Sequence, residues 1–178
     1  MNVKRIVVGE LATNCYIVEK DDSCIIIDPG AEPEKIFKHV SDDKKVVGIF
    51  ITHGHDDHTG GLTDVYNKFV CPIYTGNNLT EDEYDFDDIK FKVIRFPGHK
   101  EDSVAFYFEL EKVMFVGDFV FKDSIGRVDL KGASPYDMKK SIEKLLEYPE
   151  DVVLFPGHMQ STTLGEEVNT LKKFMNII

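Results

Sequence analysis

One heptapeptide concentrates the side chains able to do chemistry: Thr52-His53-Gly54-His55-Asp56-Asp57-His58. Residues two apart in an extended segment point the same way, so His53 and His55 can grip a single ion. Gly54 lets the backbone bend between them. Asp57 and His58 follow where a helix is expected to begin, and the turn there carries their side chains toward a second, nearby position. Imidazole combined with carboxylate suits Zn²⁺, Fe²⁺ or Mn²⁺.

Two further histidines close the same tetrapeptide. Phe96-Pro97-Gly98-His99 and Phe155-Pro156-Gly157-His158 each follow an apolar run. Proline ends strand pairing and glycine permits a sharp turn, so each histidine is delivered just past a strand end. Val116-Gly117-Asp118 repeats the plan with a carboxylate. Four strand ends on a common edge would bring these groups into one metal site, held by loops on a rigid sheet. His39, at the end of an exposed-looking helix, is read as a surface residue.

The elements that must position these groups are visible as hydrophobic runs. Asn14–Val18 and Cys24–Asp28 read as a hairpin. Val46–Thr52 reads as a strand buried on both faces, and Ile89–Phe96 alternates as a strand with one wet face. Ser103–Leu110 and Lys112–Val116 form another expected hairpin, and Asp151–Phe155 a last buried strand. Helices are expected at Pro33–Val40, after His58, at Pro135–Glu147 behind Ser134 as N-cap, and near Gly165–Met175. The acid-rich segment Asn77–Asp88 reads as a solvated loop or face. Strands with interspersed helices imply sheets and helices in layers.

Composition narrows the function classes. The chain has 178 residues with 21 Lys+Arg against 32 Asp+Glu, a formal net charge of −11 that disfavours nucleic acid as a partner. The length suits a single domain spanning 1–178. No apolar run is long enough to span a membrane, and the N-terminal run Ile6–Val8 is too short for a signal-peptide core. The odd set Cys15, Cys24 and Cys71 is not a disulfide framework, and a reducing cytoplasm is the expected compartment.

The chain resembles the metallo-β-lactamase-fold hydrolases, especially the small proteins similar to glyoxalase II (hydroxyacylglutathione hydrolase). Besides the histidine motifs, the resemblance is carried by Gly9-Glu10-Leu11-Ala12-Thr13-Asn14-Cys15-Tyr16, Ile27-Asp28-Pro29-Gly30, Gly117-Asp118 with Ser124–Leu130, and Gly157-His158 with Thr162-Thr163. It implies an α+β fold, a four-layer αββα sandwich with a dinuclear metal site at one edge of the two sheets. By matching position, His53, His55 and His99 would hold one metal. Asp57, His58 and His158 would hold the other, and Asp118 would bridge them. The cofactor implied is two divalent ions, zinc first, with iron or manganese as the other options. An exported β-lactamase is disfavoured, because such enzymes often use Cys where Asp118 stands. The rim departs from the family pattern at Lys100-Glu101-Asp102 and at Met159 and Ser161. The helical domain that helps full-length glyoxalase II hold glutathione has no counterpart in this sequence, which weakens S-lactoylglutathione as the substrate.

The expected chemistry is hydrolysis. Two ions about 3.5–4 Å apart can hold a water between them and bring its pKa toward neutrality, so no Ser or Cys nucleophile is needed. Asp57 could orient the resulting hydroxide. A thiolate leaves readily, its thiol pKa being about 8.5, so thioesters or lactones are favoured over amides. Lys122, Arg127 and Lys131 are read as attracting a small anionic thioester or ester substrate, with a plain surface charge equally open for Arg127. The rival reading is a mononuclear non-haem iron persulfide dioxygenase of the same fold. A nuclease and a non-catalytic binding domain rank below it. Oligomeric state is not legible.

Overall fold

The computed structural model describes residues 1–87 and 89–178. Its first sheet runs, in spatial order, β1 (Asn2–Val8), β2 (Thr13–Lys20), β3 (Ser23–Ile27), β4 (Lys45–Ile51) and β5 (Ile73–Thr75). The second runs β13 (Thr162–Thr163), β12 (Val153–Pro156), β9 (Val113–Gly117), β8 (Val104–Phe108), β7 (Ile89–Arg95) and β6 (Glu83–Phe86). Both sheets mix directions: β3, β4 and β5 are parallel, as are β9 and β12, while the remaining neighbours are antiparallel. A short ribbon pairs β10 (Val120–Phe121) with β11 (Ser124–Ile125). The helices are α1 (Pro33–Phe37), α2 (Asp56–Thr59), α3 (Leu62–Phe69), α4 (Pro135–Leu145) and α5 (Leu164–Met175).

Three apolar layers explain the stacking. Between the sheets, Tyr16, Val18, Ile25, Ile27 and Phe50 meet Phe91, Val93, Phe106, Phe108 and Phe115. Outside the first sheet, Ile17, Ile26 and Ile49 pack with Ile36 of α1 and Val65 of α3. Outside the second, Ile94, Ala105, Met114 and Leu154 pack with Met138 and Ile142 of α4 and Leu171 of α5. This is the expected αββα sandwich, and it explains why β2, β3 and β8 are buried along nearly their whole length. Alternation in β7 stops at Val93 and Ile94, since each of its faces covers a different layer.

The helix signals fare as the capping chemistry dictates. Ser134 Oγ accepts from Asp137 N, and Thr163 with Glu166 forms a capping box at the head of α5. The acid-rich segment is a correction, because a strand lies within it. Tyr84 and Phe86 turn inward while Glu83 and Asp85 stay wet, so β6 pairs with β7 as an edge strand. Asp88, the last residue of that segment, lies outside the described residues. No helix among the described residues is long and apolar enough to cross a membrane.

One position stores removable strain. Val70 caps α3 at φ 47°, a left-handed conformation costly for a β-branched residue, and is 73% exposed. Val70→Gly is expected to stabilise the fold by about 0.5–1 kcal/mol, read as a higher denaturant midpoint. Val70→Ala keeps the Cβ and should recover little of that gain.

Candidate metal centre

Strand direction gathers the site. β4, β7, β9 and β12 end at Ile51, Arg95, Gly117 and Pro156, and the residues just beyond carry His53, His99, Asp118 and His158. β9 and β12 are parallel, and β7 runs the same way because two antiparallel steps separate it from β9. The loops therefore open on one edge. Gly117 turns this corner at φ +53°, and a Cβ there would stand 2.4 Å from Thr52 Oγ1. His55 is the extended N-cap of α2, which starts at Asp56, so Asp57 and His58 lie in its first turn.

All seven residues expected at the site meet there. Donor atoms of His53, His55 and His99 lie within 4.8 Å of one another, as do those of Asp57, His58 and His158. A third group, His53, His58 and Asp118, joins the two triads. His55 Nδ1 lies 3.1 Å from His53 Nε2 and 3.0 Å from His99 Nε2. Asp118 Oδ1 is 3.3 Å from His58 Nε2, while Oδ2 is 3.4 Å from His158 Nε2 and 3.7 Å from His99 Nε2. Asp118 thus faces both triads.

Each ring is aimed by its other nitrogen. Nδ1 of His53, His58, His99 and His158 contacts Thr52 Oγ1, Asp28 Oδ2, the Arg127 carbonyl and the Leu11 carbonyl, respectively, at 2.9–3.1 Å. In all four, Nε2 is left facing inward. Three supports escaped the sequence reading. Buried Asp28 accepts from Thr52 N and Oγ1 as well as meeting His58. Thr13 donates to Asp57 Oδ2 at 2.9 Å, and Asp102 Oδ2 accepts from Gly54 N at 3.1 Å. Asp28 and Thr13 lie in motifs that carry the resemblance and Asp102 lies on the rim, but the sequence names no role for any of them.

The electrostatics suit cations. Burial would lower the His58 pKa, but the carboxylates of Asp28 and Asp118 outweigh it and raise it to about 10. Asp118, then Asp57, raise His158 to about 10 as well. Burial pushes the carboxyl pKa of Asp57 and Asp118 up, yet contacts with His158 and His58 hold both far below the usual range. Desolvation lowers the pKa of His53 and His55. Among the described residues, His58 Nε2 and Asp118 Oδ1 are buried without a hydrogen-bond partner. Two such orphans at the centre of converging lone pairs fit a metal ion.

Residues 8–81 and 76–158 match the Metallo-beta-lactamase superfamily. The chain belongs to the metallo-beta-lactamase superfamily. Members of this superfamily are generally metal-dependent hydrolases, and the His and Asp groups here are suited to metal binding. An uncharacterized protein of Aquifex aeolicus is 38% identical over 94% of each chain. Hydroxyacylglutathione hydrolase GloC of Haemophilus influenzae is 28% identical over 94% of this chain and 95% of its own. Two solved structures are close in fold. BLEG-1 B3 metallo-beta-lactamase has a TM-score of 0.89 at 29% identity, covering 94% of this chain and 97% of its own. TTHA1623 in a di-iron-bound form has a TM-score of 0.85 at 31% identity, covering 94% and 98%.

Other polar residues singled out in the sequence fall around the metallo-beta-lactamase centre rather than in it. The Arg127 guanidinium is exposed and forks onto Asp129 at 2.8 and 2.9 Å; its carbonyl is what reaches His99. Lys122 follows β10, where its charge helps hold Glu166 low. His39 Nδ1 bonds to the Lys35 carbonyl, outside the cluster. The three cysteines are buried and free, and burial pushes each thiol up, Cys24 to about 12. They are packing residues.

Protein stripped of metal by a chelator should lose stability as pH rises. His58 and His158 titrate at about 10 when folded, against about 6.5 for an unfolded histidine. A raised folded pKa gives stability that is complete below about pH 6.5 and lost as pH rises toward 10. Melting temperature of the stripped protein should therefore fall between pH 6.5 and 9.5. Metal-loaded protein, with its histidines neutral as ligands, should show a much smaller fall.

Proposed function

We propose that the protein is a dinuclear metal-dependent hydrolase of the glyoxalase II type, cleaving a thioester or a related ester or lactone. The observation carrying this reading is Asp118 placed between two complete triads. In it, His53, His55 and His99 would hold one divalent ion, Asp57, His58 and His158 would hold the second, and Asp118 would serve both; zinc is the first choice. When bound, two such ions supply Lewis acidity, polarising a carbonyl and activating water at neutral pH. Asp118 fixes the separation of the two triads through its two oxygens. Asp57, ionised and held by Thr13, accepts a hydrogen bond from the attacking water and orients it. A thiolate departs without a strong general acid, in keeping with the lack of a spare histidine near the cluster. The substrate proposed is a small molecule with an anionic end, attracted by Lys122 and Lys131, the Arg127 guanidinium being taken up by Asp129. A reducing cytoplasm suits the three free thiols. The 28% identical hydroxyacylglutathione hydrolase supports the thioester class.

Elemental analysis of protein purified without added metal, followed by assays on a thioester and lactone panel, tests this. Close to two ions per chain is expected, with turnover lost on chelation and restored by metal. One iron per chain, together with oxygen uptake on a persulfide, would replace the proposal with the dioxygenase reading.

A further inference from the structure

A groove of about 510 Å³ opens beside His55 and Asp57 and passes along the Gly9–Ala12 turn. Its apolar wall is Val8, Leu11, Ala31 and Leu130, and the charged side chains lining it besides Asp57 are Glu10 and Asp56. None of its described lining residues is Lys or Arg. The wall is fixed in place. Gly9 N donates to Glu32 Oε2 at 2.9 Å, Ala12 N to the Gly9 carbonyl at 3.2 Å, and the Leu11 carbonyl meets His158 Nδ1 at 3.1 Å. Leu11 nevertheless leaves its side chain 66% exposed at the mouth. An apolar wall continuous with the metal centre, rimmed by carboxylates, repels an anion and rewards burial of hydrocarbon.

We infer that this groove receives an uncharged, apolar acyl chain, so the anionic end of the substrate belongs to the leaving group and lies elsewhere. The inference rests on the thioester reading and names the acyl half of its substrate. The reaction stays balanced: water adds to the acyl carbon, the C–S bond breaks, and a fatty-type carboxylic acid and a thiol result. Acid and thiol share the two protons of the water. No further reactant is required.

Two hydroxamates test the groove without turnover. Acetohydroxamate and octanohydroxamate carry the same metal-binding head and differ in the apolar tail. Calorimetry on metal-loaded protein should find octanohydroxamate at least about tenfold tighter, since each fully buried methylene is worth roughly fourfold. Leu11→Asp combined with Leu130→Asp should erase the difference, with melting curves confirming the fold. Leu110→Asp, at an 81% exposed position outside the groove, should keep it. Equal affinities in the unmodified protein, or a difference that survives Leu11→Asp with Leu130→Asp, would overturn the inference. In parallel, octanoyl thioesters should outrun succinyl thioesters of the same thiol, and the reverse order would also overturn it. If octanohydroxamate binds tighter yet no thioester is cleaved, the groove stands and the thioester reading falls. If thioesters are cleaved while the hydroxamates bind equally, the groove assignment falls alone.

Discussion

Replacing Asp118 with alanine is expected to lower kcat/KM by at least about 10³-fold, which corresponds to about 4 kcal/mol of barrier, while the protein still folds. The loss follows from position. Among the described residues, Asp118 is the one carboxylate whose oxygens reach toward His58, His99 and His158 together, so alanine removes the link between the triads. Folding survives because each charged histidine keeps another partner. His58 retains Asp28 at 2.9 Å, and His158 retains Asp57 at 3.2 Å. Stripping a buried charge of every partner would cost about 3–5 kcal/mol, and neither histidine meets that fate. Metal content should drop below that of the unmodified protein, and the circular dichroism spectrum should not change. His39→Ala is the comparison, with a rate expected within about threefold, since among the described residues its ring bonds only to the Lys35 carbonyl. Equal losses from the two substitutions would reject the assignment of Asp118 to the centre.

Chemistry here was more legible in the sequence than its support. The ligand-type residues announce themselves because their spacing is local: His53, His55, Asp57 and His58 need only an extended segment and one helical turn to converge. The Phe-Pro-Gly-His repeat likewise encodes a strand end within four residues. Long-range partners leave no such trace. Asp28 serves His58 from 30 residues away, and Thr13 serves Asp57 from 44 away, through a sheet edge that neither segment specifies alone. Strand β1 leaves little trace because the adjacent Lys4 and Arg5, one on each face, interrupt its apolar residues, of which only Ile6 and Val8 are buried. In β6 the alternating Tyr84 and Phe86 are a period-two signal, but the surrounding acids mask it. For the loop cation Arg127 the sequence leaves a surface charge and an anchor for an anion equally open. A neighbour only two residues on, Asp129, occupies its guanidinium instead.

The largest loss expected without altering a ligand is that of Gly157→Ala. A Cβ built on Gly157 falls 2.2 Å from Asp118 Oδ1 and 2.6 Å from His58 Cε1, well inside contact distance, so something must move. The backbone cannot supply the movement. Gly157 N donates to the Gly117 carbonyl at 2.8 Å, and its own carbonyl accepts from Asn14 N at 2.7 Å. On either side, Asn14 Nδ2 holds the carbonyls of Pro156 and Met159, and Tyr16 Oη holds that of Pro156 at 2.6 Å. The methyl must therefore push Asp118 and His58 away, displacing the carboxylate between the triads and one donor of the second triad by a sizeable fraction of an ångström. A misplacement of about 1 Å can cost about 10²-fold in rate, and a loss of that size or greater is expected here, with weaker metal retention during dialysis. Gly165→Ala separates this from a general cost of losing a glycine. The three atoms nearest its Cβ would all belong to Glu150, at 3.1 Å or more, at the start of α5 and outside the ligand cluster, so activity should hold. If Gly157→Ala kept full activity and its full metal content, the close packing of the last histidine loop against Asp118 would not be what sets the geometry of the centre.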